Sequence, residues 1–194
     1  FGFQGLDIVN ALSSIGSAGM NIMALLVVYL IAKNLAKEYK IDPDAISVTA
    51  VVCFLIITPF GTGAKAGEFI RTYYLGAAGL FTAFIAAFAT VEIMRRLMNV
   101  KALIIKMPES VPSGIARSFN SMIPVILTMF IFGVLRFITN AIGTPLNDLI
   151  FNFIQTPLTT IITSPIGIVV IYFLYMLLWG FGIHTGYIIS QPIL

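Results

Sequence analysis

The chain has 194 residues, of which 59% are hydrophobic and only 10% charged; its formal net charge is +3 and its mean hydropathy +1.01. A soluble domain carries about 25% charged residues, so this sequence cannot cover a water-facing surface and reads as an integral membrane protein. Basic residues are sparse and form no stripe, so no nucleic-acid partner is expected.

Five stretches are predicted to form membrane elements: 17–36, 45–60, 74–94, 122–139 and 166–183. At about 1.5 Å per helical residue each approaches the hydrocarbon thickness, the second being short enough to be tilted or re-entrant. Lys33, Lys37 and Lys40 follow the first span, and Arg95, Arg96, Lys101, Lys106 and Arg117 follow the third. If the spans alternate, Lys65, Arg71 and Arg136 fall on the other side, so the 33–44 and 95–121 loops are assigned to the cytoplasm.

Cys53 lies in the apolar run "VVCFLII", excluding an intrachain disulfide and any multi-cysteine metal site. The glycines of "GTGAKAGEFIRTYY" lack the phosphate-cradling string, so no nucleotide is expected there. Glu92 and Arg136 lie near span ends and read as interfacial anchors. In "MPESVPSGIARSF", Val111, Ile115 and Phe119 are spaced by four, which predicts an amphipathic helix over 108–121 leading into the fourth span at Pro124. Thr144 and Pro145 look like the cap and first residue of another short helix, over 145–156. There Leu146, Leu149, Ile150, Phe153 and Ile154 share one face, opposite Asn147, Asp148, Asn152 and Gln155.

The expected fold is an all-α integral membrane protein. It has about five membrane helices, two short interfacial amphipathic helices and one broken or re-entrant segment near the C-terminal end. All lie in one membrane domain, 1–194, that reads as a piece of a longer protein.

The broken segment is "LLWGFGIHTGY", which holds the single tryptophan, Trp179, and the single histidine, His184. Gly180, Gly182 and Gly186 each cost a helix about 1 kcal/mol relative to alanine. At membrane depth, irregular backbone survives only inside protein or along a wet cavity, and transporters build substrate sites from such breaks. His184, Thr185, Tyr187, Ser190 and Gln191 supply polar groups, and Trp179 an aromatic platform for a sugar ring. An interfacial belt anchoring a helix end accounts for the same residues, and chemistry alone leaves both open. One histidine without an acid cluster builds no metal site, and no cofactor is expected.

"YLGAAGLFTAFIAAF", "IIKMPESVPSGIARSFNSMIP" and "LLWGFGIHTG", with "NLAKEYKIDPDA" as a first cytoplasmic loop, resemble the phosphotransferase-system enzyme IIC. The resemblance is to its lactose/cellobiose/N,N′-diacetylchitobiose branch, over about residues 17–190. Ser113 and Thr185 depart from that pattern, where the family usually has proline and glycine. The resemblance implies a homodimeric, multi-pass permease of the bacterial inner membrane that binds a disaccharide and moves it inward. It implies phosphorylation of a sugar 6-hydroxyl by a phosphocysteine of the partner enzyme IIB, itself supplied by enzyme IIA. The matching residues would be His184, positioning or deprotonating that hydroxyl, with Trp179, Gly182, Thr185 and Gln191 around the sugar. The phosphoryl donor then lies on the partner, and this chain holds no complete catalytic machinery. An ion-coupled secondary transporter is the alternative, disfavoured by the lack of an acid deep in any span; a non-transporting membrane scaffold is another.

Overall fold

The structure, a computed structural model, describes residues 5–63, 67–105, 108, 112–153 and 165–180. It divides into two compact units, Phe1–Asn147 and Asp148–Leu194. The first contains α1 (Gly5–Met20), α2 (Met23–Glu38), α3 (Pro43–Ile57), a hairpin of β1 (Phe60–Gly63) and β2 (Gly67–Ile70), α4 (Thr72–Leu75), α5 (Leu80–Met98) and α6 (Ser113–Ile142). One-turn 3-10 helices at Ala77–Gly79 and Lys101–Leu103 bracket α5. A helical stretch over 146–153, α7, crosses the unit boundary, and α8 (Pro165–Gly180) belongs to the second unit.

Among the described residues, Ile8–Glu38, Ala77–Met98 and Gly114–Ile142 are long and apolar enough to cross a membrane, and α3 is a shorter apolar helix. Small residues bring these helices together. Ala24, Val28, Ala32 and Ala36 recur every fourth residue along α2 and are all fully buried. They pack against α3 and α5, which present Ala50, Cys53, Ala83, Ala86 and Ala87. In lipid there is little hydrophobic drive between helices, so close backbone approach over small side chains supplies the attraction. The large apolar side chains instead face outward: Ile126, Phe130 and Phe137 on α6 are 57%, 68% and 74% exposed. That inversion is what a lipid solvent calls for.

The α2–α3 turn is fixed by local chemistry. Lys40 takes a left-handed conformation (φ 56°), while Lys40 N–H donates to the Lys37 carbonyl and Ile41 N–H to the Ala36 carbonyl. This is the helix-ending arrangement in which glycine is usual. Two residues later Asp42 caps α3, its Oδ1 accepting from Asp44 N–H at 3.1 Å and Ala45 N–H at 3.3 Å, with Pro43 at the first helical position. Lys33 Nζ then reaches Asp44 at 2.9 Å and holds the two helices at this end.

The basic connectors meet at one end of the first unit. The Arg95 guanidinium, in the last turn of α5, sits 5.2 Å from the ring centroid of Tyr39, in the α2–α3 turn. Arg136, by contrast, lies at the far end of α3, against the hairpin. The alternation inferred from charge therefore has a geometric counterpart in α2, α3, α5 and α6.

Several boundaries differ from the sequence expectation. The first span, placed at 17–36, is two helices parted at Asn21–Ile22, where Ile22 leaves helical geometry (φ −120°, ψ 13°). Gly16, Ser17 and Gly19 weaken helix propensity just before this break. The second span, placed at 45–60, closes at Ile57 because Thr58 precedes Pro59 and is extended (ψ 129°). The residues that follow form the antiparallel hairpin, an addition to the all-helical expectation. The third span, placed at 74–94, begins at Leu80, since Gly76 (φ −87°, ψ −150°) interrupts the chain after α4.

The amphipathic helix at 108–121 and the span at 122–139 are, from Ser113 onward, one helix of 30 residues with Pro124 inside it. Pro124 removes one rung of a long ladder, which a membrane helix tolerates. At about 45 Å, α6 exceeds the roughly 30 Å hydrocarbon core, so a few turns extend beyond it. Ile115 and Phe119 are 49% and 44% exposed, continuing the outward apolar stripe of α6.

In α7 the expected faces are partly exchanged. Asn147 is buried at 1% exposure, whereas Phe153 is 83% exposed. Outward phenylalanine again suits lipid. The described helix covers 146–153, and 154–156 lie outside the described residues.

Candidate functional site

The expected site segment follows α8, which lies in the second unit. Its sequence, "PIGIVVIYFLYMLLWG", has no charged residue, and its 16 residues span about 24 Å. Ile166, Val169, Tyr172, Phe173 and Met176 are all strongly exposed, so α8 presents apolar groups around much of its circumference. Trp179 and Gly180 form its last residues. Gly182, His184, Thr185, Tyr187, Ser190 and Gln191 lie outside the described residues, as does the expected break. Of the expected site residues the structure thus places only the backbone of Trp179, at the end of an apolar helix.

Within the first unit several polar side chains hold helix ends and connectors in place. Arg136, read from sequence as an interfacial anchor, turns back to the C-terminus of α3 instead. Its Nη1 donates to the Ile56 carbonyl at 2.6 Å and the Thr58 carbonyl at 2.7 Å, and its guanidinium lies 4.9 Å from the Phe60 ring centroid. The last carbonyls of a helix are orphans carrying partial negative charge, and a cation there satisfies both hydrogen bonding and dipole. Thr58 completes the end by donating its hydroxyl to the Phe54 carbonyl at 2.8 Å. Sequence spacing carries no sign of this, because Arg136 and Ile56 are 80 residues apart.

Glu92 is shared by two arginines one turn on: Arg95 contacts both carboxylate oxygens at 2.7 and 2.9 Å, and Arg96 Nε one of them at 2.6 Å. Glu92, read from sequence as an interfacial anchor, is thus an ion-pair partner on its own helix, and its i, i+3 and i, i+4 spacing is the signal that reading passed over. Asn120 accepts the Ile105 N–H at 2.9 Å and so ties the α5–α6 connector to α6. Cys53 is fully buried, a structural thiol. Among the described residues no group of three or more His, Cys, Asp or Glu side chains could hold a metal ion.

The family model for "Phosphotransferase system, EIIC" matches residues 1–192. The oligo-beta-mannoside-specific EIIC component of Bacillus subtilis (strain 168) is 35% identical over 180 residues, aligning 90% of this chain with 40% of that protein. The cellobiose-specific EIIC component of Geobacillus stearothermophilus is 32% identical, over 89% of this chain and 40% of its own length. The lactose-specific EIICB component of Lactococcus lactis subsp. lactis is 30% identical, over 96% of this chain and 34% of its own. A crystal structure of the transporter ChbC, the IIC component from the N,N′-diacetylchitobiose-specific phosphotransferase system, superposes with a TM-score of 0.67. It is 33% identical and covers 92% of this chain and 43% of that one. The chain spans between about one third and two fifths of the length of these relatives.

Proposed function

Because the chain belongs to the phosphotransferase-system EIIC family of membrane sugar transporters, we propose that it forms part of a disaccharide permease of the bacterial inner membrane. The sugar is of the cellobiose, lactose or N,N′-diacetylchitobiose kind, the specificities carried in the names of its relatives. The complete permease works as a homodimer with a phosphorylated enzyme IIB, which receives its phosphoryl group from enzyme IIA. The similarity of this chain to a protein named as an EIICB component supports that partnership. The observation that carries the reading is the family match, which runs through the whole described fold and the His184 segment.

In this reading the glycine-rich break after α8 holds the sugar. His184 contacts the hydroxyl that receives phosphate, Trp179 packs on a ring face, and Gly182, Thr185 and Gln191 complete the wall. The 6-hydroxyl oxygen attacks phosphorus and the phosphorus–sulfur bond of the enzyme IIB cysteine breaks. The hydroxyl proton passes to the imidazole of His184, the general-base role that histidine most often fills. Transfer of phosphoryl asks mainly for positioning and charge stabilisation, which suits a site divided between two proteins.

The end bearing Lys37, Lys40, Arg95, Arg96 and Lys101 faces the cytoplasm, as the positive-inside rule requires. A cysteine at exposed Lys101 should accordingly be labelled only from the cytoplasmic side, and one at Tyr73, 53% exposed near the hairpin, only from outside. The native Cys53, fully buried, contributes no background. Labelling of both from one face would overturn the orientation. The function itself is tested by proteoliposome uptake of radiolabelled disaccharide by the full-length permease. Accumulation of sugar phosphate only with phosphorylated enzyme IIB is expected, whereas ion-driven uptake without it would refute the reading.

A further inference from the structure

A groove opens at the basic end of the first unit, between the last turn of α5, the 3-10 turn after it and α6 around Pro124. It encloses a cavity of about 160 Å³ lined by Leu97, Met98, Leu103, Ile104, Asn120 and Pro124. Five of these six side chains are apolar. The sixth, Asn120, has its side-chain oxygen engaged by the Ile105 N–H at 2.9 Å. Such a lining offers hydrocarbon contact and almost no hydrogen bonding, so it is unsuited to a sugar or a free anion.

The charge beside the groove is of one net sign. Arg95 and Arg96 occupy the last turn of α5, and Glu92 is their shared counter-ion. Lys101 stands in the same one-turn helix as Leu103, is exposed, and makes no ion pair among the described residues. This places a lysine with no ion pair among the described residues two positions from Leu103 of the cavity lining, at the helix end where span gives way to connector. The combination matches an amphiphile carrying an anionic head and a hydrocarbon tail.

We propose that this groove binds one anionic phospholipid, with part of an acyl chain among Leu97, Met98, Leu103 and Pro124 and the phosphate against Lys101. Arg96, whose side chain is 74% exposed and contacts Glu92 through Nε, adds to the attraction. Bound lipid fills the space between α5 and α6 and braces the connector that Asn120 holds. The site is separate from the sugar segment and does not depend on the transport reading.

Native mass spectrometry of the detergent-purified protein, incubated with equimolar phosphatidylglycerol and phosphatidylcholine of identical chains, tests this. Preferential retention of phosphatidylglycerol is expected. Lys101→Gln should lower that retention about fivefold, the share expected of one surface cation. Lys37→Gln removes an exposed lysine at the same end but outside the groove lining, and should leave retention unchanged. Met98→Trp fills the cavity without altering charge and should reduce binding of both lipids; Leu103→Phe is read in its place if that variant is not monodisperse. Equal retention of the two lipids by the wild type overturns the proposal. So does an equal loss from Lys37→Gln and Lys101→Gln, which would mean diffuse attraction to the basic end. Unchanged binding in the filled variant overturns the acyl-chain assignment.

Discussion

Gly79→Ala is expected to lower thermal stability by several kcal/mol, enough to leave little folded protein. Gly79 is buried in the 3-10 turn that carries the chain from α4 into α5. A β-carbon there would run into the Tyr74 carbonyl oxygen and lie 2.8 Å from the Tyr74 carbonyl carbon, with the Ala24 Cβ at 3.4 Å behind it. Backbone atoms cannot rotate aside as a flexible side chain would, so the turn itself must open. Overpacking a core ordinarily costs about 1–3 kcal/mol, and a clash with main chain exceeds that range. Gly133 provides the contrast: a β-carbon at that position of α6 meets nothing within 4 Å. Gly133→Ala should stabilise by about 0.5–1 kcal/mol through helix propensity and a less flexible unfolded chain. Thermal unfolding followed by size-exclusion chromatography separates the two, and similar behaviour of both variants would refute the close approach at Gly79.

Removing Arg136 is the second large effect. Arg136→Met keeps an aliphatic stem but deprives the Ile56 and Thr58 carbonyls of their shared donor. A charge-assisted hydrogen bond is worth about 1.5–3 kcal/mol, and stranded carbonyls away from water add their desolvation cost. A loss of roughly 3–5 kcal/mol is expected, with the hairpin and the end of α3 becoming susceptible to protease first. Both bonds come from one nitrogen, so Arg136→Lys should recover part of the loss while forfeiting the planar contact with Phe60. Equal damage from lysine and methionine would contradict the carbonyl-capping role.

The elements most legible in the sequence are those whose ends carry their own chemistry. Asp42–Pro43 starts α3 and Thr58–Pro59 stops it within a few residues of the expected bounds, because caps and prolines act locally. The Glu92 ion pairs have i, i+3 and i, i+4 helical spacing, a local signal present even though Glu92 reads as an anchor. Pro124 misleads for the opposite reason: a proline that starts soluble helices sits within a membrane helix, where the lost rung is tolerated. The outward Phe153 and inward Asn147 depend on what surrounds α7, and periodicity finds a face without saying which solvent it meets. Arg136 and Asn120 act across long stretches of chain, where no spacing rule reaches. For the site, composition drew attention to the glycine break and its single histidine, while residue roles there came from family likeness. The described residues stop at Gly180, and the roles of His184 and its neighbours rest on that likeness.

The central claim is that His184 contacts the sugar. Isothermal titration of the full-length permease with its disaccharide, wild type against His184→Ala, tests it most directly. Loss of one hydrogen bond to the sugar costs about 1 kcal/mol, and more if a buried partner is left unpaired. The expected result is affinity weakened at least fivefold, with unchanged expression and dimer size and a further fall in phosphorylation. Wild-type affinity in the alanine variant would remove His184 from the sugar site and leave the segment as an interfacial anchor.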